Sequence, residues 1–212
     1  MIKPNPPKGQ TLYRERRFSL RACDLSFGGG PVERRAVVIH HGSVVILPIT
    51  NDGHVVMIEN KRWQIGARIL ELPAGTINQS EDPMVCASRE LVEETGYRAG
   101  QLEHLQSMFA LPGLTTEVMH VYLARELTWV GQSLEDDEDI RVRLLTLDDL
   151  RKRITRGAII DGKHSPSSPH SFCDKQTSKK RPKSSVLSSW SGKNMSALLS
   201  AEGSSRSAKP CR

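Results

Sequence analysis

GTINQSEDPMVCASRELVEETGY, residues 75–97, is the stretch on which the fold turns. It holds Glu90, Glu93 and Glu94 in five consecutive positions. At the helical rotation of 100° per residue these three carboxylates fall within about a quarter turn of one another. Like charges so placed repel unless a cation stands between them, and a divalent metal is the cation that fits. Asp82 is a good N-cap, Pro83 suits the first helical position, and Gly96 supplies the residue that ends the helix. Met84, Ala87, Ser88 and Leu91 lie opposite the glutamates as a modest apolar stripe, so the acidic face is expected to point away from the core, toward a cleft.

Just upstream, Leu70-Glu71-Leu72-Pro73-Ala74-Gly75 reads as a strand end running into a loop. A turn containing Gly75 can bring the Ala74 carbonyl beside the carboxylates. Carboxylate, carbonyl and water oxygens are the hard ligands that Mg²⁺ takes, together with substrate phosphate.

Gly75, Glu81, Arg89, Glu90, Glu93, Glu94 and Gly96 form a fixed spacing whose chance occurrence is roughly 10⁻⁹ per window at ordinary composition. The segment resembles the signature box of the Nudix hydrolases. It matches every fixed position, and Tyr97 stands where the box usually has an aliphatic residue. The resemblance implies an α/β fold: an α/β/α sandwich with a mixed β-sheet, preceded here by an N-terminal β segment. It also implies metal-dependent hydrolysis of a nucleoside diphosphate linked to another group.

Further segments are similar to the ADP-ribose pyrophosphatase branch. Asn60-Lys61-Arg62-Trp63 looks like its Asn-Tyr-Arg-Tyr run, with Lys61 in place of an aromatic. Residues 111–117, LPGLTTE, are similar to its Ser-Pro-Gly-x-Thr-x-Glu segment, with Leu111 in place of Ser. Residues 135–140, EDDEDI, resemble the acidic loop before its last strand, and residues 157–163, GAIIDGK, its Gly-x-Ile-x-Asp-x-Lys run. Beyond Lys163 the family continues with an apolar helix, and this chain turns instead to low complexity.

By this resemblance Glu90, Glu94 and the Ala74 carbonyl hold Mg²⁺, with Mn²⁺ as a substitute, and Glu93 serves as a further or outer ligand. Arg89 orients a helix carboxylate. The general base is a glutamate of the acidic loop, Glu138 or, behind it, Glu135. Arg62, Trp63, Glu71, Pro112 and Gly113 fall at the substrate. The expected reaction is cleavage of ADP-ribose or a similar ADP-sugar to AMP and a sugar phosphate. Another nucleotide sugar such as GDP-mannose, a dinucleotide, or a module that binds ADP-ribose without cleaving it stay open as alternatives. Branch members pair as homodimers, which makes residues 11–40 the expected dimer region.

Composition narrows the classes. The 212 residues carry 30 Lys or Arg against 24 Asp or Glu, a formal +6. Residues 164–212 hold nine of the basic groups, two of the acidic ones and fifteen serines, so the rest of the chain is close to neutral. That tail is too poor in apolar residues to offset chain entropy and is expected to be disordered. It is inert, a nonspecific binder of anionic surfaces, or an out-of-frame terminus; it lacks the aromatic interleaving of specific nucleic-acid recognition. Cys23, Cys86, Cys173 and Cys211 make neither a C-x-x-C pair nor a zinc spacing. Neither a signal region nor an apolar run of membrane length is present, and a cytoplasmic enzyme is expected.

The remaining elements follow from pattern. Residues 11–25 partly alternate as a strand before the turn at 28–31, and 32–41 and 43–50 read as β-rich runs. Asn51-Asp52-Gly53 is a hairpin turn into 55–59. Residues 108–110, 117–124 and 140–146 supply further strands, and 147–156 a helix opened by Thr146 or Asp148. The organisation read from this is an N-terminal β segment over 1–34, a hydrolase domain over 35–163, and the tail.

Overall fold

The computed structural model describes residues 2–136 and 138–161. The expectations for the tail, and for a helix missing after Lys163, lie outside the described residues. Ten strands, a single 3₁₀ turn and two helices are described: β1 (Gln10–Arg14), β2 (Phe18–Ser26), β3 (Val32–His40), β4 (Ser43–Pro48), β5 (Val55–Arg62), the turn Trp63–Ile65, β6 (Ala67–Glu71), β7 (Ala74–Thr76), α1 (Pro83–Thr95), β8 (Tyr97–Phe109), β9 (Val118–Trp129), β10 (Ile140–Leu145) and α2 (Leu147–Thr155).

They form three sheets, ordered β1-β2-β3, β10-β5-β6 and β7-β4-β9-β8. The four-stranded sheet is mixed: β4 runs parallel to β9 and antiparallel to β7, and β8 runs antiparallel to β9. β4 is buried along its whole length, as its unbroken SVVILP requires of a strand covered on both faces. Val44 and Ile46 of β4, Val56 of β5, Tyr122, Ala124 and Leu127 of β9, and Cys86, Ala87 and Leu91 of α1 make one core cluster. The catalytic-type helix is thereby packed against residues of two sheets at once. The β1-β2-β3 sheet is fastened to this body through β3, where the Val38 N–H donates to the Leu114 carbonyl at 3.0 Å and its carbonyl accepts from Thr116 at 2.9 Å. β3 runs continuously across residues 34 and 35, so no break in secondary structure falls there.

Three elements differ from expectation, the first being Ala74 and Gly75, expected in a loop and paired here with β4 as part of β7 because the strand registers on buried β4. The single strand expected over 11–25 is a hairpin, broken at residues 15–17, where the Glu15 N–H donates to the Phe18 carbonyl. The run Arg14-Glu15-Arg16-Arg17 offers nothing apolar to bury, so the chain turns there. β8 is 13 residues long, where only 108–110 were expected. A bulge between His104 and Gln106 shifts its register on β9, which scrambles the two-residue alternation that reveals a strand. No helix of the described residues is long and apolar enough to cross a membrane.

Candidate active site

α1 forms as its ends dictate. The Asp82 carboxylate accepts from the Met84 N–H at 2.8 Å, Pro83 occupies the first turn, and Gly96 closes the helix at φ +76°. A side chain at Gly96 would also strike the Trp129 ring. The acidic face, however, does not point outward. Cys86, Ala87, Glu90, Leu91, Glu94 and Thr95 are buried, and Met84, Val85 and Ser88 are exposed. A helical wheel fixes which residues share a face; it does not say that β7 packs over the edge of that face and closes it from water.

That closure shapes the site. Gly75 of β7 lies against the Glu90 carboxyl group so closely that a Cβ at residue 75 would fall inside it. Next to it the Ala74 N–H donates to the Glu94 carboxylate at 2.8 Å. Burial pushes the Glu90 carboxyl up to about 7, opposed by Arg89 and reinforced by the charges of Glu93 and Glu138. Glu94, 3% exposed, is raised well above the ordinary carboxylate range, again by burial first, with the Ala74 N–H opposing and Glu90 and Glu138 adding to the rise. Two carboxyls held together out of water are costly as anions unless a cation compensates them.

Arg89 is the organising cation of the helix. Its Nε and Nη2 reach the two Glu81 oxygens at 3.0 and 3.1 Å, and its Nη1 reaches Glu90 and Glu93, both at 2.8 Å. Glu81 anchors the guanidinium bidentately and is itself held below the usual carboxylate range by it. Sequence reasoning placed Glu81 in the signature without a task; here it is the post to which the arginine is tied.

Arg62 and Glu71, both placed at the substrate by sequence, meet each other. Arg62 donates to both Glu71 oxygens, at 2.9 and 2.6 Å, and Glu71 is 1% exposed. Glu71 is thus the buried support of Arg62, and the arginine retains partial exposure at the end of β5. Trp63, next in the chain, is 79% exposed. Pro112 and Gly113 lie in the exposed turn between β8 and β9, the turn that bonds to β3.

On the acidic loop the Glu135 N–H donates to the Glu138 carboxylate at 2.9 Å, and the Glu138 N–H donates back to the Glu135 carbonyl at 3.1 Å. The Glu135 side chain is turned away toward Arg16, which it meets at 3.1 Å. Of the two candidate bases, Glu138 is the one whose charge is felt at Glu90 and Glu94.

The donor chemistry fits a hard divalent cation. Buried Glu90 and Glu94 supply carboxylate oxygens, and the missing Cβ at Gly75 lets the Glu90 carboxyl sit against β7. Among the described residues no three His, Cys, Asp or Glu side chains converge as a ready-made cage. A hard divalent cation can be held by one or two carboxylates and complete its shell with water and phosphate oxygens.

Known proteins similar to this chain point to one family and fold. The family model for the NUDIX domain matches residues 39–166. A methanol dehydrogenase activator of Bacillus methanolicus is 36% identical over 158 residues, covering 74% of this chain and 85% of the relative. An ADP-ribose pyrophosphatase of Bacillus subtilis (strain 168) is 34% identical over 161 residues, covering 73% and 87%. A crystal structure titled as an ADP compounds hydrolase shares the fold, with a TM-score of 0.61 at 22% identity over 76% of this chain and 90% of that one.

Proposed function

This chain belongs to the Nudix hydrolases, and from that premise we propose that it cleaves ADP-ribose, or a closely similar ADP-sugar, to AMP and a sugar phosphate. The observation that carries the reading is the pair of buried carboxyls, Glu90 and Glu94, packed on Gly75 and Ala74 with Glu138 close enough to act on their charge. The likeness to the Bacillus subtilis ADP-ribose pyrophosphatase supports the choice of substrate.

Glu90, Glu94 and the Ala74 carbonyl would hold Mg²⁺, with Mn²⁺ as a substitute and Glu93 as a further ligand. When bound, the metal neutralises diphosphate charge and acidifies water. Arg89 keeps Glu90 and Glu93 from rotating out of place, so the site meets its ligands already ordered. Arg62, supported by Glu71, offers a guanidinium edge to a phosphate, and Trp63 offers an aromatic face to the base. Pro112 and Gly113 border the sugar. Glu138 accepts a proton from water as its oxygen attacks phosphorus and the P–O–P bond breaks. The second phosphate leaves with the sugar, and the Arg62 guanidinium faces the charge that develops there.

Purified protein given ADP-ribose and Mg²⁺ is expected to release AMP in equal amount to sugar phosphate. Saturable binding of ADP-ribose with no AMP release would make the protein a binding module instead. Scoring the same assay with GDP-mannose and a dinucleotide fixes the preferred leaving group.

A further inference from the structure

The last carbonyls of an α-helix lack intrahelical partners and must be met from outside. In α1 the Val92 carbonyl is met by the Gly96 N–H, and the Leu91 carbonyl by the Thr95 hydroxyl. The next two belong to Glu93 and Glu94, and both are met by the loop that carries Glu138. Ser133 N–H donates to the Glu93 carbonyl at 3.1 Å, and the Gln132 side-chain amide donates to the Glu94 carbonyl at 2.6 Å. A third bond, Val130 N–H to the Gly96 carbonyl at 2.8 Å, starts the same strap. Its far end is tied elsewhere: the Asp139 carbonyl accepts from the Lys61 N–H at 3.2 Å and from Arg68 at 2.9 Å.

Of the three bonds that the loop makes to the helix end, the Gln132 bond comes from a side chain, whereas the Ser133 and Val130 bonds are backbone bonds that any residue but proline can make. Its amide hydrogen meets the negative end of the helix, where a donor is favoured. Gly96 makes room for the loop, since a Cβ there would stand 2.9 Å from the backbone nitrogen of Gln132.

We propose that Gln132 is a positioning residue for the hydrolysis: it locks the acidic loop onto the carbonyl of Glu94 and so sets Glu138 over the carboxylates of the same helix. This rests on the reading of Glu138 as the base. Gln132 bonds the main-chain carbonyl of Glu94, and it acts through the placement of Glu138.

The test is a cycle of variants assayed for AMP release from ADP-ribose at saturating Mg²⁺. Gln132→Ala is expected to lower kcat about tenfold with KM changed less than about twofold, because a loosened base affects the proton transfer and not ground-state binding. Gln132→Lys keeps an N–H donor of similar reach at the helix C-terminus and is expected to recover kcat to within about threefold of the parent. On a Glu138→Gln background, Gln132→Ala is expected to cause no further loss. Full kcat in Gln132→Ala, failure of Gln132→Lys to recover it, or losses that multiply on the Glu138→Gln background each overturn the inference. Glu138→Gln alone separates the two ideas. Full activity there removes the base reading and the inference with it, whereas an inactive Glu138→Gln beside a fully active Gln132→Ala removes only the inference.

Discussion

At the scale of single residues the site is governed by what a missing atom permits and what a buried charge requires. Gly75 has no Cβ, and the Glu90 carboxyl occupies that space. Gly75→Ala is therefore expected to displace Glu90 and to cut kcat by more than about a hundredfold, since a shift of an ångström in a catalytic group has that order of effect. Circular dichroism checks that the fold survives. Glu94→Gln keeps an oxygen that accepts from Ala74 but removes the charge that a metal needs. Its turnover is expected to fall by orders of magnitude, and its melting temperature in EDTA to hold or rise, because a neutral amide is easier to bury than a carboxylate. Equal losses of stability and activity would give Glu94 a structural task instead. Sequence alone read Gly75 as the turn residue that brings the Ala74 carbonyl to the carboxylates; the tighter reason is a neighbour fifteen positions on that only the packing of β7 against α1 brings into contact.

At the scale of elements the legible and illegible parts separate by range. Both ends of α1 were readable, since Asp82, Pro83 and Gly96 act on their own turn. The burial of its acidic face was not, since it depends on a strand twenty residues away in sequence. The Arg62–Glu71 pair was half readable: both residues stood out, but their union depends on the β5–β6 register, which sets Ile58 opposite Glu71. That register makes a prediction about stability. Glu71→Gln leaves Arg62 charged and without its buried carboxylate, a loss of about 3–5 kcal/mol by denaturant unfolding. Retention of parental stability would mean that Arg62 finds water readily. The β8–β9 pair, hidden from sequence by its bulge, carries a pH dependence. His120 is 6% exposed, with its Nδ1 2.8 Å from the Ser107 hydroxyl, which in turn contacts His104. Burial, and secondarily the charge of His104, hold His120 below its ordinary 6.5, with Asp82 weakly opposing. The folded state thus binds the proton less readily than the unfolded chain. Its contribution is present above pH 6.5 and is lost as pH falls through the folded value. Glu90 and Glu94, raised by burial, act the other way and gain stability as pH falls, so the His120 contribution is read as a difference: in thermal melts His120→Gln is expected to gain on the parent at pH 5.5 relative to pH 7.5, and an equal gap at the two pH values would remove the role of His120.

At the scale of the whole molecule the unpartnered surface of the N-terminal sheet is the open question, and it has a physical answer. All five residues of β1 are exposed, and Leu12, Tyr13 and Val32 present apolar area to water on a three-stranded sheet that meets the body through β3. An edge strand with its backbone groups free invites pairing with another chain. We propose that the occupant of residues 11–40 is a second copy of this protein, joined by the self-complementary contact that a two-fold dimer requires. A stable dimer needs about 800 Å² from each partner. Light scattering after gel filtration is therefore expected to give twice the chain mass of 23.6 kDa. Leu12→Glu combined with Tyr13→Glu places two charges on the exposed strand, where a lone sheet tolerates them and a buried interface does not. The double variant is expected to elute as a monomer while keeping its circular dichroism. A parent protein that scatters as a monomer at tens of micromolar would remove the dimer and leave β1 as a free edge.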